Sequence, residues 1–177
     1  HSLDLDIVHA GMDQRKIHML VREIFPKMKW KVPVAVHHKL LPGLTQPKNE
    51  SDIEPGKMSK SDPNSGIFIH NTDDEIKNKI KKGWCEEASV DGNPVLEIAK
   101  HVIFHEFNSI NIERPEKFGG NVTYENYQEL ESDFGEKKLH PGDLKQTVGE
   151  YLVKIISPIR EKLSITDELL ELIKSSN

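Results

Sequence analysis

The stretch from Leu3 to Val36 constrains this chain most, because it reads as strand, helix, strand with short connections. Leu3 to Val8 (LDLDIV) alternates apolar and acidic residues, the period-two mark of a strand, and runs into an Ala10-Gly11 turn. From Asp13 to Phe25, Ile17, Leu20, Val21 and Ile24 recur at helical spacing, and Pro26 is expected to stop the helix. Val32 to Val36 (VPVAV) is a short β-branched run of the kind found in buried strands. Such a unit folds as parallel βαβ with a right-handed crossover. Ligands bind beyond the C-terminal ends of such strands, so Ala10-Gly11 and His37-His38 are expected to face a site.

Residues 39–66 form a long polar stretch with Pro42, Pro47, Pro55 and Pro63, Gly43, Gly56 and Gly66, and Pro33 at its approach. A stretch this long within a compact domain carries function or is disordered. Beyond residue 70 the pattern turns helical. Thr72-Asp73-Asp74-Glu75 is a capping box, followed by an apolar stripe of Ile76, Ile80 and Trp84. Asn93-Pro94 opens a second helix through Phe104, burying Val95, Ile98, Ala99 and Val102. A third is expected over Thr123 to Phe134, with Tyr127, Leu130 and Phe134 inward. The longest spans Leu144 to Leu163, with a kink expected at Pro158, and a short one closes the chain over Thr166 to Lys174. The fold class expected is therefore α/β, then all-α, with the change near residue 70.

Composition narrows the function. The net charge of −5 argues against binding nucleic acid by bulk electrostatics, so any such role must rest on local residues. Lys77, Lys79, Lys81 and Lys82 form one basic run, and Lys27, Lys29 and Lys31 another. Runs of this kind are more often solvated faces than binding sites. No apolar run reaches the length of a membrane span, and no signal-peptide layout is present. A single cysteine, Cys85, excludes an internal disulfide framework and fits a cytoplasmic setting. Adjacent strand residues point to opposite faces, so His37 and His38 do not chelate, and no metal site is expected.

Lys57-Met58-Ser59-Lys60-Ser61 sits on the Gly/Pro-rich stretch. Two ammonium groups with serine hydroxyls and free backbone N–H groups suit a mobile loop that grips a polyphosphate. Gly11-Met12-Asp13-Gln14 places an amide and N–H groups at the mouth of the sheet, where a helix cap is the plainer reading. Together these motifs resemble the class I aminoacyl-tRNA synthetases of the tyrosyl and tryptophanyl subgroup. Asp13-Gln14-Arg15-Lys16-Ile17-His18, RPEKFGG (Arg114–Gly120) and LHPGDLK (Leu139–Lys145) resemble the archaeal/eukaryotic tyrosyl-tRNA synthetases. Asp62-Pro63-Asn64-Ser65 is familiar from tryptophanyl enzymes, which stand as the alternative.

The resemblance implies that Lys57 and Lys60 hold ATP phosphates and the transition state while Ser59 and Ser61 orient the loop. Met58 and His38 would complete the ATP site, and Gln14 would seat tyrosine. Arg15 and Lys16 would approach the acceptor end of tRNA-Tyr. Phe118, His140 and Pro141 would stack or pack on anticodon bases, and Asp143 would accept from an anticodon guanine. ATP would bring Mg2+, and the full-length parent would be a homodimer. In this reading residues 1–70 are the C-terminal part of a Rossmann-like catalytic domain and residues 71–177 an α-helical anticodon-binding domain. The His-x-Gly-His signature of the class is absent from the 177 residues. This chain alone is therefore expected to form no tyrosyl-adenylate, and its half-sheet to expose an apolar face. A non-catalytic tRNA-binding half of a double-length synthetase is the second alternative.

Overall fold

The structure is a computed structural model that describes residues 4–46, 56, 58, 62–163 and 171–172. It divides into two compact units, His1–Leu40 and Leu41–Asn177.

In the first unit, β1 (Ile7–Gly11) and β2 (Val34–His38) pair in parallel, with Ile7 opposite Val34 and Gly11 opposite His38. Both strands start later than the sequence pattern suggests. Asp4 has φ 45°, which breaks the strand, and Asp4 and Asp6 turn to Lys31, whose Nζ lies 2.6 Å from Asp6 Oδ1. The hydrogen bond and charge of Lys31 hold the Asp6 carboxyl below its ordinary value.

A single 3-10 turn (Met12–Gln14) leads into α1 (Arg15–Lys27). His18, Val21 and Phe25 share a groove with Val8 and Ala35, so α1 lies over that face of the pair. Pro26 does not stop the helix: its fixed φ is compatible with a helical turn, at the loss of one N–H donor, and α1 runs one residue further, to Lys27. The stop comes from Lys29, which adopts φ 57° so that its N–H reaches Pro26 O (3.0 Å) and the Trp30 N–H reaches Phe25 O (2.9 Å). That is a Schellman closure with lysine where glycine is usual. The other face of the sheet is open. Ile7 and Val34 are both 63% exposed, and Val36 is exposed beside them. The β-branched run expected to be a buried strand is thus covered on one side only.

The second unit is helical with a two-stranded ribbon. α2 (Asp73–Lys82) starts on the expected capping box: Thr72 Oγ1 accepts from the Glu75 N–H, and Glu75 Oε2 accepts from the Thr72 N–H. Ile76 and Ile80 are fully buried. Leu44 is stitched to the end of this helix, its carbonyl accepting from the Trp84 N–H (2.7 Å) and its own N–H donating to Ser65 O (2.9 Å). Asn93 is fully buried and satisfied. Its Oδ1 caps Val95 and Leu96, and its Nδ2 donates to Ser89 O.

The helix that follows is not uniform: α3 (Pro94–Ile98) passes into a π-helical stretch (Ala99–Ile103) and then α4 (Phe104–Glu106). The wider π turn rotates the buried face by one residue. Ile103 is fully buried, and Val102, expected in the core, is only half-buried.

The expected third helix begins late. Val122–Tyr124 forms β4, antiparallel to β3 (Ile110–Ile112), and α5 (Tyr127–Gly135) starts only after Asn126, whose Oδ1 accepts from the Glu129 N–H. Val, Thr and Tyr fit a pleated surface better than a helix, so this half is not all-α. α6 (Pro141–Leu163) continues through Pro158, and the expected closing helix lies largely outside the described residues. α6 buries Leu144, Val148 and Leu152 against Phe134, Leu130 and Ile80 in one core. Each such side chain contributes roughly 1.5–3 kcal/mol.

Two outcomes follow from the first unit. Lys29→Gly removes the left-handed strain at the end of α1 and should raise stability by about 1 kcal/mol in urea unfolding. His18 Nδ1 and His37 Nε2 lie 2.9 Å apart, a bond that needs a neutral imidazole as acceptor. Partial burial, then the nearby His18, Arg15, His38 and His9, hold the His37 pKa below 6.5. The unfolded chain therefore binds more protons below pH 6.5, and stability should fall as pH drops through the folded value. Thermal midpoints followed from about pH 7.5 to about pH 5.5 should decline, and His37→Gln should flatten the decline.

Candidate nucleic-acid interface

Arg114 organises the exposed end of the second unit. Its Nε donates to Gly120 O (2.7 Å), its Nη1 to Lys138 O (2.9 Å), and its backbone N–H to Asn121 Oδ1 (3.1 Å). One guanidinium thus ties the Arg114–Gly120 loop to the strand of chain that enters α6. Gly119 and Gly120 sit at φ 100° and 70°, a turn that side chains resist. The loop presents Phe118 from a 3-10 turn (Glu116–Phe118), 61% exposed, with Lys117 Nζ 4.8 Å from the ring centroid.

Across the Arg114 bridge, His140 Nδ1 accepts from the Gly142 N–H (3.0 Å), which leaves the proton of the neutral ring on Nε2. A Cβ at Gly142 would stand 2.9 Å from that Nδ1, so glycine is what lets the imidazole seat there. His140 O accepts from the N–H groups of Asp143 and Leu144 and so opens α6. Asp143 lies in the first turn, half-exposed beside Pro141, and its carboxylate has no partner among the described residues. An exposed ring, an outward N–H donor and an unengaged carboxylate are the groups with which proteins stack on and read unpaired bases. The sequence pointed to Phe118, His140, Pro141 and Asp143 but not to Arg114. Its flanking Pro115 and the Gly119-Gly120 pair were the signal, since such a loop needs an anchor.

Gln14, Arg15 and Lys16 lie at the start of α1, all exposed. Gly11 and Gln14 stand at the two N-cap positions without a side-chain cap bond, Asp13 lies in the first turn and Gln14 is exposed, an arrangement that also fits the plainer cap reading. Gly11 is required there by space: a Cβ would come within 2.7 Å of both Asp13 Oδ1 and Leu40 Cδ2. His37 and His38 face opposite sides, as strand alternation dictates. His38 Nδ1 lies 3.0 Å from His9 Nε2 on the open face, and His37 bonds to His18 of α1.

Lys57, Ser59, Lys60 and Ser61 fall outside the described residues. Their neighbours fall within the second unit: Gly56 O accepts from the Gly43 N–H, and Met58 packs on Gly66 at the edge of the core. Among the described residues no three His, Cys, Asp or Glu side chains converge as a metal site, and no helix is long and apolar enough to cross a membrane.

The family model "tRNA synthetases class I (W and Y)" matches residues 2–157. The tyrosine–tRNA ligase of Thermococcus sibiricus is 47% identical over 97% of this chain and 51% of its own length. That of Pyrococcus abyssi is 46% identical over 96% of this chain and 50% of its own. The tyrosyl-tRNA synthetase of Pyrococcus horikoshii, solved with L-tyrosine, superposes with a TM-score of 0.88 at 42% identity, over 98% of this chain and 52% of that one. The chain thus spans about half the length of the relatives it matches. It belongs to the class I tRNA synthetases of the tryptophan and tyrosine group, and the relatives it resembles within that group are archaeal tyrosine–tRNA ligases.

Proposed function

We propose that this chain supplies the ATP-closing loop and the anticodon-reading part of a tyrosine–tRNA ligase. The whole enzyme joins tyrosine and ATP into tyrosyl-adenylate and transfers the tyrosyl group to tRNA-Tyr. The observation that supports the reading is the Arg114 bridge, which ties the loop of exposed Phe118 to Lys138, two residues before His140, with the unengaged carboxylate of Asp143 in the turn that follows.

In this scheme Phe118 stacks on an anticodon base, with Lys117 adding positive charge next to the ring. His140 donates from Nε2 and packs with Pro141 against a second base, and Asp143 accepts from a guanine edge. Gln14 seats the tyrosine, and Arg15 and Lys16 approach the acceptor end. Lys57 and Lys60 neutralise charge that develops as the tyrosine carboxylate attacks the α-phosphate, Ser59 and Ser61 orient the loop, and Met58 and His38 flank the nucleotide. Mg2+ accompanies ATP as part of the substrate. The functional boundary is placed near residue 70, so that residues 41–70 serve the catalytic half while packing on the helical one. The parent is read as a cytoplasmic homodimer.

Asp143→Ala should weaken an anticodon stem-loop carrying the tyrosine anticodon by about 1–3 kcal/mol and leave one without that guanine nearly unchanged. Fluorescence anisotropy reads both, and equal loss for the two RNAs would sink the assignment. Phe118→Ala should cost about 1–3 kcal/mol for either RNA, whereas Phe118→Trp should retain binding because every base has a face on which to stack.

A further inference from the structure

We propose that Lys79 of α2 is a positioning residue for the lysine-serine stretch: its ammonium holds the Gly66 carbonyl, and Gly66 is the floor on which Met58 sits. The proposal rests on the reading above, in which that stretch grips ATP phosphates, and names what seats it on the core.

Lys79 stands apart from the other lysines of α2. Its Nζ donates to Gly66 O and to Asn71 Oδ1, both at 3.0 Å, and lies 4.8 Å from the centre of the Phe68 ring. Lys77, Lys81 and Lys82 are exposed, whereas Lys79 is half-buried. Burial pushes its pKa down, with Glu75 opposing, so the ammonium is held inward against a desolvation cost. A lysine on a helix surface ordinarily lays its stem on the protein and keeps its charge in water. One that turns to a backbone carbonyl 13 residues away fastens two segments together.

The nearer of its two partners does not need it. Asn71 is buried, and its Oδ1 already accepts from the Phe68 N–H (2.9 Å) while its Nδ2 donates to Glu75 Oε2 (3.2 Å). Its backbone N–H donates to Phe68 O (3.0 Å), and its carbonyl accepts from Arg160 Nη1. Residues 68–71 are thus tied to α2 and α6 without Lys79. What Lys79 adds is Gly66, a buried residue whose carbonyl would be costly to leave without a donor. Just before it, Ser65 is fixed by the Leu44 N–H on its carbonyl and by its own N–H on Asp62 O, both at 2.9 Å.

Gly66 in turn carries Met58. A Cβ added at Gly66 would stand 3.2 Å from Met58 Cβ, 3.6 Å from Cγ and 3.7 Å from Sδ, so the Met58 side chain lies along the bare Cα. Met58 is half-buried and packs against the core. In sequence it is flanked by Lys57 and Ser59, with Lys60 two residues on. Consecutive Cα atoms are about 3.8 Å apart, so a seated Met58 limits where those groups can stand. A site that stabilises developing charge works best when its charges need no rearrangement, and a fixed seat serves that end.

The test places isotope labels on the methionine methyl groups of the 177-residue chain and follows them by NMR. There are four methionines, and Met58→Leu identifies the Met58 signal. Lys79→Leu should move that signal toward the positions of exposed Met12 and Met28, and Lys79→Arg, which keeps a donor long enough to reach the carbonyl, should restore it. Gly66→Ala presses on Met58 directly and should displace the signal with Lys79 intact. Thr72→Ala removes the cap of α2 and should lower the thermal midpoint, yet leave the Met58 signal in place. Inorganic tripolyphosphate should shift the Met58 signal of the parent chain, and Lys79→Leu should weaken that binding by about five-fold, the equivalent of one hydrogen bond. Circular dichroism checks the fold, and Lys79→Gln, one bond shorter but still polar, serves if Lys79→Leu unfolds.

An unmoved Met58 signal in a folded Lys79 variant overturns the positioning role and leaves the phosphate reading standing. Equal displacement by Thr72→Ala also overturns it, because general loosening of α2 would then account for the effect. Tripolyphosphate bound equally by parent and variant overturns the link between seat and grip. A parent chain that ignores tripolyphosphate, while Lys79→Leu still displaces Met58, overturns the phosphate reading and keeps the seat.

Discussion

The contact between α2 and α6 is what the rest of the second unit hangs on. The two helices run antiparallel: Asp73 at the start of α2 meets Ser157 and Arg160 late in α6, Lys77 lies over buried Gly149, and Lys81 O receives Lys145. A helix held at both ends and along its middle has little freedom to slide, because one register of side chains fits. The first turn of α6, which carries Asp143 and follows His140, is therefore fixed relative to α2. The other end of α2 bonds through Trp84 to Leu44, and Leu44 in turn to Ser65. One short helix thus positions both the candidate turn at Asp143 and the Leu44–Ser65 pair. Its N-terminal capping box sets where it begins, and so sets the register of everything attached to it.

Where the sequence read true, the signal was local and chemically specific. Thr72 and Glu75 cap reciprocally as their spacing requires, Asn93-Pro94 opens a helix, and the two N-terminal strands pair in parallel around α1. Where it misled, a competing local preference or a tertiary contact won. Pro26 looked like a stop, yet the helix closes on a left-handed Lys29 two residues beyond its end, which no periodicity encodes. A second lysine, Lys137 at φ 63°, closes α5 in the same way, with Lys138 N–H on Asp133 O and Lys137 N–H on Phe134 O. Thr123 and Tyr124 were expected to open the third helix, but with Val122 they pair with Ile110–Ile112 instead. The π-helical stretch at Ala99–Ile103 moved burial from Val102 to Ile103, a one-residue shift that a fixed 3.6-residue period cannot show.

The candidate site was legible to the same degree. Phe118, His140, Pro141 and Asp143 stand in the sequence as three separate hints, each with a plainer explanation. What joins them is the Arg114 guanidinium, and a hydrogen bond spanning 24 residues to Lys138 O has no periodic trace in sequence. The open face of β1 and β2 shows a different limit. Val34 and Val36 carry the chemistry of a strand buried on both sides, while α1 covers only the face that bears Val8 and Ala35. Among the described residues of this unit, α1 alone covers the pair, and Val34 and Val36 stay exposed.

Net charge and local charge act on different terms of recognition. An overall charge of −5 lowers the long-range attraction of any RNA, so binding cannot rest on a diffuse field and is screened out within about 10 Å at ordinary salt. In the proposed reading, base contacts at Phe118, His140 and Asp143 are short and directional, and they discriminate only if the backbone is held in register. The acidic balance of the chain therefore suppresses indiscriminate polyanion binding and, in the proposed reading, leaves recognition to local contacts.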